Sequence, residues 1–559
     1  MKNLLCATVL TLAVAASAAA KPLNATVCDA LGRPLGEVEV QILDETRQIL
    51  ATTRSDSLGQ FHLDLDRTGA LTMRLAKPGF ETLTQPITLP AGASLTFQLE
   101  PDEEMVITVR ERIRTGPTVS PEGANDYRVI SQDIKDRPAG ENSRLADVLV
   151  QMPGVSLDQN QQVHLRDQHS NGQYIINDVV MPLSLYAEPA FSSLLNPLMI
   201  KRMDLLTGIL PAQYGFTTSG GVVSIETKDG SEGNGGQFST YFGQRGTFQP
   251  SFQVGGSEGD FSYYLNGLYS SSNMAFSSAT PTRDPFHNQT HQGQGFGLFT
   301  YKINPELKLS LMLGATSSVN QLPNDPDLQP AFALNGVGDF PARNINSYLN
   351  FEDRFAVLSL HGTASDEVKW HLAYTIHSLA QDFRPDDTGE LIYQGVSATT
   401  LTTNHDDSLQ GGLTARLGDH TLSTGFYYGR YGMSSNSSTL VFPVDSDGIQ
   451  SSDLPVRINN QFTTRDIVQG YYLNDLWRWS PEFAINMGLR LDSISGFTNA
   501  TQLDPTLNLI WNPSEDTTVH AGLAHYLNTP AFQAFSPAAQ ASFNGTTNAA
   551  VPGRVNPFA

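Results

Sequence analysis

Histidine and cysteine are the side chains best suited to ligating a metal or acting as a nucleophile, and the chain holds 12 of the first and two of the second. Neither H-E-x-x-H nor C-x-x-C occurs. His371 and His377, six apart on a strand-like run, share one face, but no carboxylate arrangement there specifies a metal. They read as surface or lumen histidines, and His62 as a solvated strand histidine. The run "KDGSEGNGG" (228–236) would need a preceding strand, a following helix and a lysine near its end to cradle phosphate. Lacking the helix and that lysine, it reads as a flexible linker. The residues therefore predict no catalytic site, no metal site and no cofactor.

One stretch offers chemistry of another kind. In "EEMVITVRER" (103–112), Met105, Val106, Ile107 and Val109 have the pattern of a strand, yet Pro101 and Gly116-Pro117 cut it off on both sides. No hairpin turn supplies a partner. Such a strand can pair with the sheet edge of another protein, backbone hydrogen bonds giving strength and alternate side chains giving register. Docking on the preceding unit is the other possibility.

The elements that must position this strand fall into regions. Residues 1–20 have an early positive charge, an apolar run from Leu4 to about Ala16 and a small-residue end at Ala18-Ala19-Ala20, the features of a secretory signal peptide. Cys6 precedes the apolar run, too early for lipoprotein acylation, and Cys28 alone remains in the mature chain, so an internal disulfide is excluded. No later run reaches the length of a membrane-spanning helix. A net charge of -22 disfavours nucleic acid or anionic lipid as a partner. A mean hydropathy of -0.23 fits a soluble protein and a transmembrane β-barrel alike.

Residues 21–100 show short alternating strands between turns such as Gly32-Arg33-Pro34 and Asp56–Gly59, the pattern of a small β-sandwich. Residues 101–117 are a linker. Residues 118–230 read as α+β: a helix in "NSRLADVLVQMPGV", a strand "QVHLRD", a hairpin "QYIINDVVMP" with Asn177-Asp178 at its tip, a second helix broken at Asn196-Pro197 and then a strand in "FSSLLNPLMIKRMDLLTG", and a last strand "GGVVSIETK". From residue 231 to 559, aromatic-rich strands of about ten residues alternate with tight turns and with long polar stretches such as 318–343 and 433–461. That is the signature of an antiparallel transmembrane barrel. Tyr427, Tyr428, Tyr431, Tyr471, Tyr472, Trp477 and Trp479 are expected in its aromatic girdles.

Two resemblances follow from these residues. Gly32-Arg33-Pro34-Leu35, Val38, Val40, Asp56, Gly59, Phe61 and "KPGF" (77–80) resemble the carboxypeptidase-regulatory-like domain, a non-catalytic, transthyretin-like sandwich. The ordered series "LADVLVQMPGV", "VHLRD", "YIINDVVMP", "NPLMIKRMDLLTG", "PAQYG" and "GGVVSIETK" resembles the plug of TonB-dependent outer-membrane receptors. Asp167 and Asp178 stand where that family usually has glycine. The resemblance implies a 22-stranded barrel in the outer membrane of a Gram-negative bacterium, with the plug in its lumen and the sandwich in the periplasm. About 13 or 14 strands are countable between Gln237 and Asn528. The final "FSPAAQASFNGTTNAAVPGRVNPFA" reads as a polar loop, so the chain is expected to lack the last part of such a barrel. A smaller closed barrel of 12–14 strands is the competing expectation.

The same resemblance implies that Glu104, Met105, Val106, Ile107, Thr108 and Val109 form a TonB box, through which TonB and its inner-membrane energising complex pull on the plug. Gln168, His169, Ser170, Asn171, Leu185 and Tyr186 lie in the loops that would meet substrate. The implied function is uptake of a scarce or bulky nutrient, a ferric siderophore or similar small molecule or metal chelate, by a protein embedded in outer-membrane lipid. A surface-binding or adhesion protein without energised transport is the alternative.

Overall fold

The computed structural model describes residues 23–29, 34–44, 49–63, 69–77, 80, 82–89, 95–99, 117–158, 163–166, 172–182, 195–215, 218–230, 234–276, 286–496, 499–514, 517–527 and 540–549. The leader sequence lies outside them. Two units divide at Glu104.

Seven strands make the first: β1 (Leu23–Asp29), β2 (Glu39–Leu43), β3 (Ile49–Arg54), β4 (Gln60–Leu63), β5 (Gly69–Ala76), β6 (Leu83–Leu89) and β7 (Leu95–Leu99). They pair as two sheets, β4-β1-β7 and β3-β2-β5-β6. Period-2 alternation turns Val40, Ile42, Met73 and Leu75 of one sheet and Val27, Phe61, Phe97 and Leu99 of the other into a single core. The expected sandwich is present.

The second unit opens with an α+β part: β8 (Pro117–Val119), β9 (Asn125–Ile130), α1 (Ser131–Lys135), α2 (Leu145–Leu149), β10 (Val155–Leu157), β11 (Val163–Leu165), β12 (Gly172–Ile176), β13 (Val179–Val180), β14 (Ile200–Thr207) and β15 (Gly221–Thr227). Its main sheet runs β13-β12-β15-β14-β9-β8, so β8 is an edge strand. Leu145, Val148 and Leu149 bury the apolar stripe of α2. The β12–β13 hairpin turns at Asn177 and Asp178, with φ of 47 and 64, a left-handed conformation that aspartate tolerates. The expected second helix reduces, among the described residues, to one 3-10 turn at Pro197–Met199. Beyond it the expected strand is present at 200–207, buried over most of its length between β9 and β15.

Thirteen strands follow: β16 (Gly235–Phe242), β17 (Phe248–Glu258), β18 (Phe261–Ser272), β19 (Thr290–Asn304), β20 (Leu307–Gln321), β21 (Tyr348–Ser365), β22 (Val368–Arg384), then helix α3 (Asp387–Gln394), β23 (Val396–Leu417), β24 (His420–Val441), β25 (Val456–Arg478), β26 (Phe483–Ser495), β27 (Ala500–Ser514) and β28 (Thr517–Ala524). Each pairs antiparallel with its sequence neighbours in one meander. Among the described residues β16 and β28 do not pair with each other, so the closed 12–14-strand alternative gains no support.

Strand lengths depart from expectation. β23, β24 and β25 run 22, 22 and 23 residues, not about ten. The polar run 433–441 continues β24, and the connection to β25 is only 442–455. Polarity marked these residues as loop, whereas serine and threonine pair well in a ladder whose neighbours extend equally far.

The sheet is inside-out. On β27, Leu503, Leu507 and Leu509 are exposed while Asp504, Thr506 and Asn508 between them are buried. The polar face is buried because the α+β part packs on it: Met199, Met203 and Ile225 share a core with Tyr264, Phe296, Met312 and Phe355 of the sheet. Tyr427 and Tyr431 also turn inward and are buried mid-strand, which corrects their girdle placement; Tyr428, Tyr471 and Trp479 face outward. The linker is corrected as well. Lys228 is buried against Glu141 and Gln253, and a Cβ on Gly230 would lie 2.1 Å from the Gly256 carbonyl oxygen. Here the chain threads a tight gap.

Candidate transport path between plug and wall

Beside that shared apolar core, the hydrogen bonds between the inner α+β part and the surrounding sheet come mostly from neutral amides and hydroxyls. On β23 the Gln410 side chain accepts from the Val180 N–H (2.9 Å) and donates to the Val180 carbonyl (2.8 Å), imitating a neighbouring strand at the edge strand β13. Three asparagines act together on adjacent strands. Asn474 (β25) donates to Asn486 (β26) at 2.7 Å and accepts from the Ala212 N–H at 3.4 Å. Asn486 donates to the Glu122 carbonyl at 3.3 Å, and Asn508 (β27) donates to the same oxygen at 2.8 Å and to the Ile209 carbonyl at 3.1 Å. Tyr526 accepts from the Leu210 N–H at 2.6 Å. On the opposite flank Asn196 donates to Asn266 (2.9 Å), and Ser251 donates to Asn142 (2.8 Å).

Charges inside the sheet are paired locally. Arg490 makes a two-point contact with Asp492 (2.9 and 2.8 Å) and reaches the carbonyls of Ala212 and Gln213. His377 bridges Asp353 (2.8 Å) and Asp406 (3.0 Å), all three nearly inaccessible. Burial pushes the Glu122 carboxyl up to about 7, against the pull of its own backbone N–H, Ser120 and Arg478. Burial raises the Tyr214 hydroxyl as well, helped by Glu122. The gap left beside these contacts is a cavity of about 110 Å³ lined by Asp178, Tyr214, His371, Gln410, Tyr472 and Arg490, among others.

Three family models match this arrangement in order: a carboxypeptidase regulatory-like domain over residues 22–100, a TonB-dependent receptor plug domain over 124–222, and a TonB-dependent receptor-like β-barrel over 312–557. The chain belongs to the TonB-dependent receptors. Solved structures agree on the fold of this receptor. The ferric yersiniabactin uptake receptor FyuA from Yersinia pestis is 12% identical with a TM-score of 0.55, over 71% of this chain and 63% of that one. The siderophore receptor PiuA from Acinetobacter baumannii is 13% identical with a TM-score of 0.52, over 73% and 64%. A ferric enterobactin receptor mutant from Pseudomonas aeruginosa is 16% identical with a TM-score of 0.54, over 72% and 62%. The chain thus spans a little under two thirds of the length of those receptors. No curated protein matches it. The matched families and structures are transport receptors and not enzymes.

The site residues expected from the sequence of this receptor are placed by chain position only. Glu104, Met105, Val106, Ile107, Thr108 and Val109 lie outside the described residues, between β7 and β8. So do Gln168, His169, Ser170 and Asn171, between β11 and β12, and Leu185 and Tyr186, after β13. Sequence reasoning missed the wall residues. His377 does have carboxylate partners, but on β21 and β23, and no group of histidines and acids suited to a metal occurs among the described residues. The alternation Asn404, Asp406, Ser408, Gln410 was the available signal for an inward polar face. The sequence does hold a G-x-S-x-G string, Gly255–Gly259, but it ends strand β17 and enters the turn to β18 with no following helix, so Ser257 is not on a nucleophile elbow.

Proposed function

We propose that this receptor takes up a scarce or bulky small molecule, a ferric siderophore or similar chelate, across the outer membrane of a Gram-negative bacterium. The main support is that the plug packs on the buried polar face of the inside-out sheet, and the cavity between them lined by Asp178, Tyr214 and Gln410 holds about 110 Å³. Ligand sites for small molecules typically span ~300–1,000 Å³, so a siderophore-sized cargo does not fit that cavity. The plug must move, and moving it breaks several hydrogen bonds at once. Work of that kind has to come from outside a membrane that holds no nucleotide or ion gradient.

TonB is the proposed source, acting on Glu104–Val109 from the periplasm, where the sandwich and linker (21–117) also lie. Cargo is met first by Gln168–Asn171, Leu185 and Tyr186 of the plug (118–230). FyuA and PiuA, named for a ferric siderophore and for siderophore reception, support this cargo class by analogy of fold. Deleting residues 104–109 is expected to abolish uptake by cells expressing the receptor while leaving cargo binding at the surface intact. Unchanged uptake overturns the reading. Surface binding that survives this deletion but is lost with residues 23–100 would favour adhesion.

A further inference from the structure

Among the described residues, the first packed element downstream of 104–109 is the β8–β9 hairpin. Within the same residues β8 holds β9 by three pairs, Pro117–Tyr127, Thr118–Asp126 and Val119–Asn125, and lies at the sheet edge. Tension arriving at Pro117 meets these pairs one after another, the weakest geometry a ladder offers. The turn that follows is of another kind. Within it the Ser120 N–H donates to the Ala124 carbonyl (2.7 Å), and the Ala124 N–H donates to the Ser120 hydroxyl (3.1 Å). Outside it, the Glu122 carbonyl is held by two barrel side chains, Asn508 and Asn486.

Asn508 does more than hold the turn. Its single amide group also donates to the Ile209 carbonyl, so one barrel side chain fastens two plug segments that are 87 residues apart in sequence (122 and 209). Gly123 lies flat on the same side chain: a Cβ there would come within 2.9 Å of Asn508 Cγ, and its φ of +92 favours glycine independently. Glu122 and Asn508 are both nearly inaccessible, so water cannot readily replace the bonds one at a time. Behind the turn, β9 pairs with β14 over six residues, reinforced by Arg128–Asp204 at 2.7 Å.

We propose that the 120–124 turn is the release catch of the plug: Asn508, seconded by Asn486, holds the first packed turn to the barrel wall, and opening begins when this clip yields. β8 peels before it, and β9 separates from β14 only after it. Because Asn508 also holds Ile209, loss of the clip removes one tie of the 208–212 loop at the same moment, leaving those to Tyr526, Asn474 and Arg490. The proposal deepens the transport reading and rests on it for its biological meaning. Its test does not need TonB.

The test is single-molecule pulling on the full chain in lipid vesicles, through a handle on Thr115→Cys in a Cys28→Ser background. The unaltered wall should give an early rupture that frees the segment up to about residue 125 ahead of β9. Asn508→Ala should raise the spontaneous rate of that rupture about ten-fold, in line with the loss of two neutral buried hydrogen bonds. Gln410→Ala, which frees the Val180 backbone on β13 but makes no bond to the turn, should leave it unchanged. If Asn508→Ala fails to assemble, Asn508→Asp keeps the size and removes both donors, and the same shift is expected. An early rupture with the same rate in the Asn508 variants, or one equally weakened by Gln410→Ala, overturns the catch. Failure of TonB to bind residues 104–109 would instead overturn the transport reading and leave the pulling result standing.

Discussion

Glu122 is a carboxyl in a place where charge is unwelcome. Its Oε1 has no hydrogen-bond partner among the described residues, and the groups around it are Ser120, Asp126 on β9, Arg478 at the end of β25 and Tyr214. Burial wins over Arg478, and the carboxyl moves from 4.5 to about 7. The sign follows directly. Between pH 4.5 and 7 the unfolded chain releases this proton while the docked turn keeps it, so docking weakens as pH rises and the loss is complete above pH 7. A shift of this size corresponds to roughly 3 kcal/mol at full effect. Denaturant titration of plug release is therefore expected to show tighter docking at pH 5 than at pH 8, with Glu122→Gln removing most of the difference. A slope unchanged by Glu122→Gln would place the titration elsewhere. None of this was legible in the sequence, where Glu122 is one of 56 acids. Asn474, Asn486 and Asn508 were equally silent, because only the register across three strands brings them together.

Elements were far more legible than sites. Alternation disclosed the sandwich strands, the β12–β13 hairpin, and thirteen strands among the described residues where 13 or 14 were expected. What alternation cannot show is which face meets which neighbour. Tyr427 and Tyr431 read as girdle residues by composition, yet they occupy inward positions on β24. Lys228–Gly236 read as slack by its glycines, yet Gly230 is there for lack of room. The Cβ of any other residue would meet Gly256 and Tyr263 backbone atoms at 2.1 to 2.7 Å. Backbone cannot give way as a side-chain tip can, so overpacking here should cost at least the ~1–3 kcal/mol usual for crowded cores. Gly230→Ala is expected to lower the fraction of chain that migrates as the compact, heat-modifiable species on gels. Gly235→Ala, with nothing within 4 Å of its Cβ, is expected to leave that fraction unchanged. Equal behaviour of the two variants would return the segment to the role of a plain tether.

At the scale of the whole molecule the decisive property is that the wall's apolar residues point away from its own core. Leu489, Leu491, Leu503, Leu507 and Leu509 are each about two-fifths to half exposed, on strands whose other face buries Asn486, Arg490, Asp492, Asp504 and Asn508. In water such a surface would forfeit roughly 1.5–3 kcal/mol per large side chain relative to burial. It is reasonable only if hydrocarbon covers it, and then the inward polar groups must be satisfied by the plug. The two demands fit one another: the wall needs the plug to satisfy its interior, and the plug needs the wall to cover Met203, Ile225 and Met199. A soluble multi-hairpin protein would respond to surface charge in the opposite way. Leu507→Arg, placed mid-strand on the outer face, is expected to cost ~2–4 kcal/mol of stability in bilayers. The same replacement at Val456, exposed at the long-loop end of β25, should cost less. Urea titration of the vesicle-inserted chain reads both. A Leu507→Arg variant as stable as the parent, or more soluble without lipid and equally folded, would mean that water and not membrane faces these leucines, and the transport reading would fall with it.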